Sequence, residues 1–228
     1  MQRLAHSDGE LATARACTNF NVPMGLSSFA TTTLEDVAAA SGDNPRVLQL
    51  YLFEEREHSR KLIQRAKKAG FKAAFLTVDT PMLGRRNLEI RNQFKLPAHF
   101  SIPNFQQEGE AEPEQRGDVK VKRQRKQRAA SVSGVTDLKT GARTVPQGPI
   151  TFHSHAANPT LNWERDIAWL KQECGEEMQV WIKGVATAED ALLAVHHGVD
   201  GIVVSNHGGR QLSKSSLRSQ CGFNWPWF

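Results

Sequence analysis

With 228 residues the chain is long enough for one sizeable core and falls within the size range of a single α/β barrel. Its composition, 39% hydrophobic and 23% charged, excludes a disordered chain, and no run approaches the ~18 consecutive apolar residues that a membrane span needs. The formal net charge of +5 is local: residues 119–128 (VKVKRQRKQR) hold six bases and no acid, which leaves the rest of the sequence close to neutral.

Short apolar runs alternate with longer helical patterns, the signature of βα units and a parallel sheet. Residues 10–17 read as helix, 22–26 as strand, 34–40 as helix and 47–51 (VLQLY) as a second strand. Residues 56–69 form a longer amphipathic pattern closed by Gly70, and 73–78 follow as a third strand. The rhythm returns with a helix over 163–172, a strand over 180–183, a helix over 188–197 closed by Gly198, and a fifth strand over 201–205 (GIVVS).

Residues 93–161 interrupt this rhythm. Their middle is a polar block in which an acidic stretch (EGEAEPEQ, from Glu108) precedes the basic run, so a mobile insertion loop, largely disordered in its middle, is expected. No aromatic residues interleave with the bases, and a solvated charged loop is favoured over a nucleic-acid site. After Leu212 the text SKSSLRSQCGFNWPWF loses the βα pattern, so residues 213–228 read as an aberrant tail of out-of-frame or intron-derived origin. Five strands do not close an eight-stranded barrel. The expectation is an α/β fold over residues 1–212: a partial TIM (β/α)8 barrel of about five βα units, truncated at both ends.

Cys17, Cys174 and Cys221 are scattered and odd in number, which suggests neither a disulfide framework nor a metal knuckle and fits a reducing, intracellular compartment. Residues 1–10 (MQRLAHSDGE) lack the apolar core of an export signal. His153, His155, His196 and His197 lack metal-ligand spacing with cysteines or carboxylates, so no metal is expected.

In a parallel barrel the chemistry sits at the C-terminal ends of the strands. Those ends carry Ser27 and Ser28, then Gln49 and Tyr51, then Thr77 and Asp79, then Lys183 before Gly184, and finally Ser205, Asn206, His207, Gly208, Gly209 and Arg210. Each placement alone is compatible with a structural hydrogen bond; five together point to a site.

The strings LSSFATT (26–32), QLY (49–51), LTVDTPMLGRR (76–86), KGVATAEDA (183–191) and SNHGGRQL (205–212) resemble the FMN-dependent 2-hydroxy-acid oxidase and dehydrogenase family, which includes glycolate oxidase, lactate oxidase and flavocytochrome-type L-lactate dehydrogenase. The resemblance covers most of residues 1–91 and 161–212. It implies oxidation of a lactate- or glycolate-like L-2-hydroxy acid to the 2-keto acid, with FMN as cofactor. His207 would be the base and Asp79 its carboxylate partner. Arg210 and Arg86 would hold the substrate carboxylate, and Tyr51 would hydrogen-bond the substrate. Ser27, Gln49, Thr77 and Ser205 would contact the flavin ring, and Lys183 would stabilise its reduced form.

These roles agree with the chemistry of the residue types. An imidazole titrates near neutral pH and is helped by a neighbouring carboxylate, while the planar arginine fork grips carboxylates through paired charge-assisted bonds. Phe29 stands where several family members carry a tryptophan, which implies a different pocket for the substrate side chain. The turns that bind the flavin phosphate after barrel strands 7 and 8 have no counterpart here, and neither GxGxxG nor GxxxxGK[ST] replaces them. The alternative reading is therefore a non-catalytic remnant or interaction protein. The electron acceptor (oxygen, a quinone or a cytochrome) is selected outside these motifs. The intact family member is expected to form a homo-oligomer, a tetramer, in the cytoplasm, peroxisome or mitochondrion.

Overall fold

The computed structural model describes residues 1–81, 84, 86–106 and 158–211. Five parallel strands form one sheet in the order of the sequence: β1 (Met24–Ser27), β2 (Arg46–Leu50), β3 (Ala73–Thr77), β4 (Gln179–Val185) and β5 (Gly201–Val204). The helices α1 (Gly9–Asn19), α2 (Leu34–Ser41), α3 (Arg56–Lys68), α4 (Asn87–Arg91), α5 (Ala168–Cys174) and α6 (Ala188–His196) connect or flank them. All five expected strands are present, with no end shifted by more than two residues.

Local chemistry explains the helix boundaries. Thr33 caps α2 by accepting from Asp36 N–H (3.1 Å), and Thr187 caps α6 by accepting from Asp190 N–H (3.2 Å). In α3, Ser59, Leu62, Ile63 and Ala66 are buried at the i, i+3, i+4, i+7 spacing of one helix face. Basic Arg65, Lys67 and Lys68 occupy its last turn, where they complement the helix dipole. The expected helix over 163–172 opens instead as a π-helical turn, Trp163–Ile167. There Asn162 accepts from Glu164 N–H and Arg165 N–H while its own N–H donates to Asp166 Oδ2 (2.6 Å), which holds the first turn wide before α5 begins.

Register decides which strand residues face which layer. Ser27 pairs with Gln49, Gln49 with Phe75, and Thr77 with Lys183. One sheet face therefore carries Ser27, Gln49, Phe75, Thr77, Trp181 and Lys183, and the other carries Leu26, Leu48, Leu50, Leu76 and Ile182. The second set is buried in one core with Leu34, Val37, Leu62, Ile63 and Leu170 from the helices. On the first face Phe75 and Trp181 stack at 5.3 Å. A Cβ on Gly201 would come within 2.7 Å of the Trp181 indole, so glycine makes room for that ring.

The expected excursion after β3 begins with an anchored segment. Ile102 and Asn104 are buried, and the Phe105 ring lies 4.9 Å from Phe29 and 5.5 Å from Phe53. Asn104 Oδ1 accepts from the N–H of Leu34, while Nδ2 donates to the carbonyls of Ser28 and Thr32. Residues 107–157, with the acidic and basic stretches, and 212–228, with the expected tail, lie outside the described residues. Among the described residues β1 and β5 are the sheet edges. Large apolar side chains are exposed on the last unit, at Leu192 and Val195 of α6 and Val204 of β5. Among the described residues no helix is long and apolar enough to cross a membrane.

Candidate active site

Three neighbouring strands deliver the polar cluster. β3 runs into Thr77-Val78-Asp79-Thr80, β4 ends at Lys183-Gly184-Val185, and β5 leads to a 3-10 turn at His207–Gly209. His207 Nδ1 lies 2.7 Å from Asp79 Oδ1, and the Asp79 side chain is only 4% exposed. With Nδ1–H committed to the carboxylate, Nε2 is the nitrogen that can take a proton.

Backbone geometry builds this pair. Gly184 sits at a register shift between Lys183 and Val185 with φ +104, and a Cβ there would lie 2.7 Å from both Cβ and Cγ of Asp79. The carboxylate thus packs against bare backbone, a close approach that glycine alone permits. Val78 N–H donates to the Lys183 carbonyl (2.9 Å), carrying the β3–β4 pairing up to the residue before Asp79. His207 itself adopts φ +58, and its N–H donates to Ser205 Oγ (3.0 Å). Asn206 Oδ1 accepts from Gly209 N–H (3.2 Å) and closes the turn.

The charges around Asp79 are uneven. Oδ1 takes the histidine, whereas Oδ2 is buried without a hydrogen-bond donor among the described residues and has Lys183 Nζ at 3.6 Å. Lys183 therefore offsets the carboxylate through space while remaining on the open sheet face.

Along that face Gln49 Nε2 donates to Thr77 Oγ1 (2.9 Å), and Ser27 Oγ donates weakly to Gln49 Oε1 (3.4 Å). Ser27, Gln49, Thr77 and Lys183 thus form a continuous polar row. Ser205, expected beside them, is turned toward the His207 backbone.

Tyr51, the residue after β2, is buried, with its ring 6.1 Å from Phe29. Burial pushes its hydroxyl pKa above the ordinary 10; a hydrogen bond with Thr80 lowers it, the Asp79 charge raises it, and the Arg86 and Arg210 charges lower it. Tyr51, Asp79, Thr80, Arg86 and Arg210 therefore share one electrostatic neighbourhood. Arg86 pairs with Glu89 at 3.2 Å, and its Nε is buried without a hydrogen-bond partner among the described residues. Arg210 is exposed. Gly84 N–H donates to Gln211 Oε1 (3.0 Å), and a Cβ on Gly84 would collide with the Arg210 carbonyl, so the segments bearing the two arginines are held together.

Two contributors were not among the residues expected from sequence. Thr80 follows Asp79 directly and contacts both members of the pair, while Gly184 shapes the floor beneath the carboxylate. The adjacency of a hydroxyl residue to Asp79 was a visible signal for Thr80; nothing in the local sequence marks Gly184. A cavity of about 540 Å³ lined by Gln64, Lys67, Lys68, Gly70, Phe71, Lys72 and Glu177 lies at the other end of the sheet, before β3, and includes none of the residues expected at the site.

A family model described as FMN-dependent dehydrogenase matches residues 1–217. Mouse 2-hydroxyacid oxidase 1 is 41% identical over 212 residues, covering 93% of this chain and 50% of that protein. Glycolate oxidase 1 of Oryza sativa subsp. indica is 42% identical over 212 residues, covering 93% and 49%. Among solved structures, mandelate oxidase with benzoyl-formic acid superposes with a TM-score of 0.66 at 31% identity, covering 92% of this chain and 47% of that one. The chain spans about half the length of the curated relatives it matches. Five parallel βα units, a family model spanning nearly the whole chain and relatives above 40% identity agree: the chain belongs to the FMN-dependent dehydrogenase family.

Proposed function

We propose that this chain carries the acid–base and ring-binding half of an FMN-dependent enzyme that oxidises an L-2-hydroxy acid, lactate- or glycolate-like, to its 2-keto acid. The observation that supports this most directly is the half-buried Asp79–His207 pair, 2.7 Å apart, in the electrostatic neighbourhood of two arginines and a buried tyrosine. His207 Nε2 takes the substrate's hydroxyl proton, and Asp79 holds the imidazole orientation and stabilises its protonated form. Arg210, with Arg86, holds the carboxylate, and Tyr51 borders the same space. For Arg86 this means exchanging Glu89 for the substrate carboxylate.

The residues present fit FMN at its ring. Ser27, Gln49 and Thr77 offer donors and acceptors in one row, and Lys183 places a cation at its end, suited to a ring that becomes anionic on reduction. When bound, the flavin supplies the two-electron acceptor that none of the side chains provides. Phe29, packed against Tyr51, Phe53 and Phe105, narrows the aromatic wall beside the site and would influence substrate side-chain size. Among the described cysteines Cys17 and Cys174 are free thiols, which supports a reducing compartment.

Flavin reduction under anaerobic mixing with L-lactate or glycolate tests the reading. The wild-type protein, loaded with FMN, should bleach with one of these substrates. His207→Gln should keep the flavin and lose about 10²–10⁴ in reduction rate. A His207→Gln protein reducing flavin at the parental rate refutes the base assignment. A flavin-loaded wild type inert to both acids, and to larger 2-hydroxy acids, would favour the non-catalytic alternative.

A further inference from the structure

We propose that Ser205 is a positioning residue: its hydroxyl holds the His207 backbone in a left-handed conformation and so aims the imidazole at Asp79. His207 (φ +58), Gly208 (φ +67) and Gly209 (φ +72) turn left-handed in succession. Two of the three are glycines, for which this region carries no steric penalty; His207 is the one whose Cβ opposes it. A side chain persists there when its surroundings over-determine it. Ser205 supplies that constraint, because its Oγ accepts the His207 N–H at 3.0 Å, and Asn206 Oδ1 closes the turn by accepting the Gly209 N–H at 3.2 Å. Bonds of this kind, from a serine or asparagine side chain to a backbone N–H two or three residues on, fix a turn against competing backbone conformations.

The constraint is referred to the same part of the sheet as Asp79. Ser205 N–H donates to the Val185 carbonyl (3.3 Å), while Gly184, the residue before, sets bare backbone against the Asp79 Cβ and Cγ. Adjacent residues of β4 therefore locate both members of a pair that lies 128 positions apart in sequence, and the 2.7 Å contact of His207 Nδ1 with Asp79 Oδ1 follows from that shared reference. Accepting from His207 occupies one lone pair of the Ser205 oxygen and leaves the hydroxyl proton out of this bond. Positioning the base is thus compatible with the flavin contact expected of the same residue.

The experiment is nuclear magnetic resonance of the 228-residue chain, read at two protons of His207 with neither flavin nor substrate present. The hydrogen-bonded Nδ1–H gives a downfield imidazole signal, assigned by its loss in His207→Gln, and the backbone amide gives an exchange rate. Ser205→Ala removes the acceptor. It should abolish or broaden the Nδ1–H signal and speed amide exchange at His207 by roughly two- to tenfold, the factor that one net hydrogen bond represents. Ser205→Thr keeps the hydroxyl and should restore both readings. The Val78 amide, which donates to the Lys183 carbonyl, is the internal reference and should exchange at the parental rate in every variant. The inference is overturned by a Ser205→Ala protein in which either His207 reading is unchanged, by a Ser205→Thr protein that behaves like Ser205→Ala, or by a Val78 amide that speeds as much as His207. A wild type without the Nδ1–H signal overturns it as well. The catalytic meaning of this role rests on the proposed function, yet the two fail separately. A flavin-loaded chain inert to hydroxy acids leaves the positioning role standing, and an unmoved Ser205→Ala spectrum leaves the hydroxy-acid reading standing.

Discussion

Glu10 offers the sharpest stability test. It lies in the first turn of α1, 2% exposed, against the segment that follows β1. Its carboxylate accepts from Gln2 N–H (2.8 Å), Thr31 N–H (3.0 Å), and the Thr31 and Thr32 hydroxyls (2.9 Å each), with the Met1 amine at 3.0 Å. Burial alone would raise its pKa, but these donors outweigh burial and hold it at about 2 against an ordinary 4.5. At about 1.4 kcal/mol per pH unit, that depression corresponds to about 3 kcal/mol of folding stability. The folded-state pKa is the lower one, so the contribution is complete above pH 4.5 and disappears as the pH falls through about 2. Glu10→Gln keeps the shape and removes the charge. Urea unfolding across this range should place the variant about 3 kcal/mol below wild type at neutral pH, with the gap closing in acid. A gap of constant size would show that Glu10 acts through packing rather than through its charge.

Two further outcomes follow from contacts near the site. Gly184→Ala forces a side chain into a φ of +104 and against Asp79, so it should cost roughly 2–5 kcal/mol in urea unfolding; a variant as stable as wild type would refute the close-approach argument. Asn104→Ala leaves the buried N–H of Leu34 without its acceptor and should lower stability by about 1–3 kcal/mol by helical circular dichroism, whereas an unchanged thermal transition would mean that water replaces the cap.

Legibility in the sequence followed the range of the interactions. The strands could be read because each is a short apolar run beside its own helix, and register then carried Ser27, Gln49, Thr77 and Lys183 onto one face. The Asp79–His207 pair was legible only through the family resemblance, since 128 positions separate the two residues. Asn104 and Glu10 were not legible at all. Asn104 lies in what read as an excursion and earns its role from a cap 70 positions away, and Glu10 looks like any acidic residue in a first helical turn. Periodicity reports which face is buried, but it carries no information about which distant polar atom meets which.

The direct pairing of Thr77 with Lys183 also bears on how this architecture tolerates change. The entropy of closing a chain segment grows only with the logarithm of its length, so doubling the sequence between two paired strands costs about 0.6 kcal/mol. Because β3 and β4 are locked residue by residue at the site, their pairing does not depend on the length of chain that joins them, provided that the anchors on either side are kept: Phe105 against Phe29 and Phe53, and Asn158, whose N–H donates to the Leu52 carbonyl (2.9 Å). A reporter peptide or an affinity handle inserted there should leave the distance between Asp79 and Lys183 unaltered, making this connection the natural place to add new sequence to the chain.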